Sequence, residues 1–101
     1  MPTVQLRRYW FDPGHLAAFR DWFPTLLPVR EHFGFRVLFA LADPWQETFT
    51  WAVEFDGDVD AFLEVEATYQ DSPERAGAFE TFPGHISKKE IGFVEDDVLG
   101  R

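Results

Sequence analysis

Cysteine and asparagine are both absent from the 101 residues. Without cysteine there is no disulfide framework, no thiolate nucleophile and no cysteine-ligated metal. Without asparagine there is no N-glycosylation acceptor and no chemistry that depends on an asparagine amide. Serine is nearly as scarce: Ser72 and Ser87 are the only two, and neither sits in a nucleophile elbow, which excludes acyl transfer by serine. Nine basic residues face 18 acidic ones, a net charge of −9 with histidine neutral. A phosphate backbone is bound by clustered Lys and Arg, so nucleic acid is not an expected partner. No apolar run of about 18 residues occurs, so no membrane-spanning helix is expected. Residues 1–10 alternate polar with apolar side chains instead of forming the apolar block of a signal peptide. A cytoplasmic protein with no membrane partner is the expectation.

Aromatic residues, by contrast, are plentiful. Twelve Phe, four Trp and two Tyr could bury roughly 3,600 Å² between them at about 200 Å² each. The length fits one domain, 1–101, and a single small core struggles to hide that much area. A second buried surface, a pocket or a subunit interface, is therefore expected.

The periodicity is that of alternating strands and helices. Thr3 to Trp10 has period two and predicts the first strand. Asp12-Pro13-Gly14 turns the chain, with Asp12 as a cap and Pro13 suited to the first helical position. The stripe Leu16, Phe19, Phe23, Leu26, Leu27 and Phe33 predicts a helix that Gly34 ends and that Pro24 and Pro28 break or kink. Phe35 to Ala42 is apolar on both faces except at Arg36, as in a strand covered on both sides. Asp43-Pro44-Trp45-Gln46 breaks it. Glu47 to Asp56 alternates again, and Gly57-Asp58 opens a helix with the inner stripe Val59, Phe62, Leu63, Glu66 and Tyr69. Ser72-Pro73-Glu74 reads as the cap, first-turn proline and acidic first turn of a third helix. His85 to Val98 is the last strand.

This order predicts an α+β fold, a ferredoxin-like βαββαβ sandwich with a four-stranded antiparallel sheet and helices on one face. The first and third strands are then central neighbours. Pairing their apolar alternates puts Val4, Leu6 and Arg8 on the helix side with Phe49, Trp51, Val53 and Phe55. Gln5, Arg7 and Tyr9 fall on the open face with Thr50 and Glu54, Arg7 near Glu54. That face is too mixed for a plain solvent face, so these five residues are expected to form the interior of a homodimer.

Several segments are similar to the NIPSNAP family of the dimeric α/β barrel superfamily. They are Val4-Gln5-Leu6-Arg7-Arg8-Tyr9, Pro13-Gly14, Leu27-Pro28-Val29-Arg30-Glu31, Gly34-Phe35-Arg36-Val37-Leu38, Phe49-Thr50-Trp51-Ala52-Val53-Glu54-Phe55-Asp56, and Tyr69 with Ser72-Pro73. Together they cover most of the chain, and their order and spacing carry the likeness; Pro24 departs from the pattern. The resemblance implies two ferredoxin-like subunits with their sheets pressed together and a pocket between sheet and helices. It brings no agreed catalytic set. Related barrels include cofactor-independent monooxygenases, isomerases and haem-degrading enzymes, and the haem degraders that rely on an asparagine with a tryptophan and a histidine do not match this sequence.

The candidate ligand residues are Arg8, Trp10, Trp22 and Trp51. Arg8 on a helix-covered face must reach the rim or meet an acid or an anionic ligand. The three indoles offer stacking area, with core packing the competing role for Trp51 and an exposed position the alternative for Trp22. His85 and Tyr9 are the candidates for moving a proton, His85 also as a haem ligand, with a hydrated strand start as the plainer role for His85. None of His15, His32 and His85 has metal-ligand spacing, so no metal or other cofactor is expected. Glu64, Glu66, Glu95, Asp96 and Asp97 read as solvated faces. The expected function is binding of a small apolar or aromatic organic molecule. The alternatives are a cofactor-independent monooxygenase or isomerase of an aromatic or enol substrate, and a non-catalytic accessory dimer.

Overall fold

In a computed structural model that describes residues 2–95, β1 spans Pro2–Phe11 and ends in the Asp12-Pro13-Gly14 turn. There the His15 N–H donates to the Asp12 carbonyl at 3.1 Å, and Gly14 takes a φ of +85° that L side chains avoid. The helix α1 therefore starts at Leu16, later than a Pro13 start, and runs to Trp22 without a side-chain cap. Pro24 replaces the next turn with a 3₁₀ segment over Phe23–Thr25, because it lacks an amide donor and crowds the preceding turn. Pro28 then sits in the first turn of α2, Leu27–His32, where a missing donor costs nothing. Gly34 at φ +90° reverses the chain into β2, Phe35–Asp43. The expected break into two short helices and the expected glycine stop are both present.

The hairpin to β3, Thr48–Asp56, turns on Asp43, whose Oδ1 accepts from the amides of Trp45 and Gln46 at 3.0 and 3.1 Å. Asp58 caps α3, Val59–Gln70, by accepting from the Ala61 amide, and Ser72 caps α4, Pro73–Phe79, by accepting from the Arg75 amide. The last strand, β4, spans Ile86–Val94, one residue short of the expected start at His85 and ending before Glu95; the rest of its expected extension to Val98, with Asp96 and Asp97, lies outside the described residues. The strands form one antiparallel sheet in the order β2-β3-β1-β4, so β1 and β3 are central. This is the ferredoxin-like α+β architecture expected from the sequence, with all helices on one face.

The face assignment of β1 is corrected by the register. Tyr9 pairs with Phe49, Arg7 with Trp51 and Gln5 with Val53, so Gln5, Arg7 and Tyr9 point under the helices and Val4, Leu6, Arg8 and Trp10 point to the open face. A slip of one residue exchanges the two faces of a strand. The choice follows from satisfaction of polar groups. Arg7 donates from Nε to the Tyr9 hydroxyl and from Nη1 to Gln5 Oε1, both at 2.8 Å, while the Tyr9 ring packs edge-on to Phe19 and Trp51.

The core between the layers holds Phe19, Phe23, Trp51, Val53, Phe35, Phe62 and Tyr69. Arg30 is buried among them at 2% exposure, its guanidinium 4.1 Å from the Tyr69 ring centre and bonded to Glu66 at 2.6 Å. Glu66, half of the expected solvated face of α3, thus faces inward. The molecule is only 19 Å along its shortest axis, a sheet and one helix layer. The second face of the sheet carries Phe39, Leu41 and Val94, all exposed, so the two-sided cover expected for Phe35 to Ala42 does not come from within the chain.

Candidate functional site

A cavity of about 390 Å³ opens between the β1–β4 half of the sheet and the helices. Its aromatic wall is built by two short elements that meet because α1 ends early. Trp22, the last residue of α1, donates its indole N–H to the Ala78 carbonyl at 3.0 Å and so ties α1 to the end of α4. The rings of Trp22, Phe79 and Phe82 then stand mutually 4.9 to 5.0 Å apart. Phe19 and Tyr9 complete the wall, and Gly84, His85 and Ile86 form a rim.

The rim is strained in a defined way. Gly84 and His85 are consecutive residues with φ of +75° and +67°, and the second is unusual for a side chain larger than glycine. The Asp12 amide donates to the His85 carbonyl at 3.0 Å. The His85 ring stacks on His15 with centroids 3.7 Å apart, and its Nδ1 lies 3.5 Å from Asp12 Oδ2. Two histidines distant in sequence are thus neighbours, although among the described residues no group of three His, Cys, Asp or Glu could hold a metal.

The polar lining is cationic. Arg7, Arg75 and Lys89 line the cavity, and no Asp or Glu is part of that lining. Arg7 lies 5.4 Å from the Trp51 ring centre, and Arg75 lies 4.0 Å from that of Phe79.

Deeper in the core, burial pushes the Glu66 carboxyl upward, but the charge and hydrogen bonds of Arg30, a bond from Gln70 and the field of Arg7 outweigh it and hold it below the usual carboxylate value. Burial pushes the neighbouring Tyr69 phenol up, against the opposing charges of Arg30 and Arg75.

The sequence-predicted residues divide between two faces. Tyr9, His85 and Trp22 line the cavity together. Trp51 packs in the core beneath Arg7, outside the cavity lining. Arg8 and Trp10 lie on the opposite face of the sheet, where Arg8 and Lys88 stand 5.3 and 4.6 Å from the Trp10 ring centre; the expected helix-side position of Arg8 is overturned by the register. Of the residues expected at a dimer interior, Thr50 and Glu54 are on the open face, where Glu54 pairs with Arg36 and not with Arg7. Gln5, Arg7 and Tyr9 are not on that face. Arg75, Phe79, Phe82 and Lys89 carry no joint signal in the sequence, because they lie on a short helix, a loop and an edge strand without a shared period. Glu66, expected both in the inner stripe of α3 and among the solvated acids, takes the stripe position.

The topology defines the class: a ferredoxin-like α+β domain with one uncovered sheet face and a cavity on the other side. No protein-family model matches the sequence, and no curated protein matches it. Solved structures do. An uncharacterized NIPSNAP domain protein from Burkholderia xenovorans superposes with a TM-score of 0.80 at 13% identity, covering 97% of this chain and 96% of that one. A NIPSNAP family protein with unknown function from Agrobacterium tumefaciens gives 0.79 at 12% identity, with 92% and 86% covered. A putative antibiotic biosynthesis monooxygenase from Nitrosomonas europaea gives 0.70 at 8% identity, with 94% and 89% covered. The likeness to NIPSNAP proteins read from the sequence is therefore a likeness of the whole fold. Among the described residues no helix is long and apolar enough to cross a membrane.

Proposed function

We infer that the protein binds a small organic molecule with a flat, largely apolar body in the cavity between α1, α4 and the β1–β4 half of the sheet, and that it does so as a homodimer closed over its open sheet faces. The aromatic wall of Trp22, Phe79 and Phe82 around about 390 Å³ carries this reading, since pockets for small molecules are commonly of a few hundred Å³ with apolar walls and a few placed polar groups. The test is a titration with 2-naphthol followed through the four indole N–H signals in nitrogen-proton correlation spectra, with Trp22 assigned by Trp22→Phe. The Trp22 signal shifts on binding and that of Trp45, 91% exposed, does not. A titration that moves Trp10 instead places the ligand on the open face, and one that moves no indole removes the reading.

A second reading is favoured by the company of Tyr9 and His85 on the same cavity. The Tyr9 hydroxyl accepts from Arg7 Nε, which leaves its own proton free for a ligand, and His85 has Asp12 beside it to orient its ring. Such a pair suits proton transfer to or from a phenol or enol, as in a monooxygenase or isomerase. Turnover of a naphthohydroquinone that falls at least about tenfold in Tyr9→Phe or His85→Ala supports this reading; turnover unchanged in both variants removes it.

A further inference from the structure

We propose that the molecule held in this cavity is an organic anion, a carboxylic acid with a flat aromatic body whose carboxylate is received by Arg7, Arg75 and Lys89. The proposal rests on the cavity being a ligand site and adds the charge and headgroup of what it takes.

The distribution of charge is the first ground. The chain has nine Lys and Arg against 18 Asp and Glu, yet three of the nine line this one cavity and none of the acids does. Second, Arg30, Arg36 and Lys88 are already paired, with Glu66, Glu54 and Glu90, and Arg8 and Arg20 are exposed to solvent. Among the described residues Arg7, Arg75 and Lys89 make no ion pair. A half-buried guanidinium without a counter-charge gives up part of its hydration for nothing unless an anion enters.

Third, the two guanidiniums are held in a receptive state. Arg7 spends Nε and one Nη1 hydrogen on Tyr9 and Gln5, which fixes its plane and leaves the rest of its five donors. Arg75 lies against Phe79. A guanidinium stacked on a ring keeps its donors in the edge directions, where a planar carboxylate is received by two parallel bonds. The aromatic wall beside them sets the body of the ligand, flat and apolar, apart from simple inorganic anions.

Two isosteric probes decide this: naphthalene-2-carboxylate and the neutral naphthalene-2-carboxamide, titrated into the intact protein at low salt and followed at the Trp22 indole. The carboxylate binds at least about tenfold more tightly than the amide, and the preference shrinks as salt rises. Arg75→Gln and Arg7→Gln bring the two affinities together. Lys89→Gln, on an exposed edge strand, lowers the preference severalfold without threatening the fold. Equal binding of the two probes to the unaltered protein overturns the anion inference and leaves the cavity reading standing. Failure of both probes to move Trp22 overturns both.

Discussion

At Glu66, burial and charge act in opposite directions, and the charge of Arg30 wins. Its carboxyl is held below the usual 4.5 in the folded protein, so the folded state binds its proton less readily than the unfolded chain does. The stability this pair contributes is therefore present above the unfolded value and is lost as pH falls through the folded one. Unfolding free energy measured by urea titration should drop on acidification below about pH 4.5, and Glu66→Gln should flatten that limb. The same substitution strands Arg30, which is 2% exposed, and should cost about 3 kcal/mol at neutral pH. Replacing both partners with apolar residues, Arg30→Met with Glu66→Leu, should recover much of the loss. No loss of stability in Glu66→Gln would mean that the pair is incidental to stability. Arg30 was visible in the sequence only as part of a motif, because one charged residue in a short proline-led helix gives no sign of being buried.

Among the elements, α4 does the most for its length. It has seven residues, too few to be stable alone, and carries Arg75 and Phe79 to the cavity and the Ala78 carbonyl to Trp22. Ser72 joins it to α3: its hydroxyl donates to the Tyr69 carbonyl at 2.7 Å and accepts from the Arg75 amide at 3.1 Å. Ser72→Ala removes both bonds at a buried position and should lower stability by about 1–2 kcal/mol. Because α4 holds the Trp22 tie through Ala78, the Trp22 indole signal should broaden or move in the same variant. An unchanged melting temperature would show that packing alone seats the helix. The cap was legible in Ser72-Pro73-Glu74, as were the proline break in the first helical stripe and the glycine stop. The start of α1 was not, since Asp12 uses its carbonyl to close a turn in place of capping the helix with its side chain.

For the whole molecule, the dimensions speak most directly. A radius of gyration of 14.0 Å exceeds the roughly 13 Å of a rounded domain of about 100 residues, and the excess is flatness. One face of the sheet presents Phe39 and Leu41, the latter 61% exposed, beside Leu6 and Trp10 of β1. Pairing two such faces would bury the surplus aromatic and aliphatic area, with Arg36 and Glu54 at the seam. Light scattering coupled to size exclusion should give a mass near twice the 11.8 kDa of one chain, and Leu41→Glu should shift it to one chain. A monomer for the unaltered protein at micromolar concentration would remove the homodimer from the proposed function.

The sequence by itself determined the kinds of elements, their order and most of their ends, because period, prolines, glycines and caps act within a few residues of chain. From these the antiparallel sheet and its central strands followed. It did not determine which side of β1 faces the helices. Val4, Leu6 and Trp10 are more apolar than the true inward set of Gln5, Arg7 and Tyr9, so apolarity alone points to the wrong face, and period two fixes that side chains alternate without fixing which set goes inside. Only tertiary structure decided this, through the one register that places Arg7 over Trp51 with its donors satisfied by Tyr9 and Gln5. That single choice moved Arg7 and Tyr9 into the cavity, sent Arg8 and Trp10 to the opposite face, and brought Arg75 and Lys89 beside residues far away in the chain.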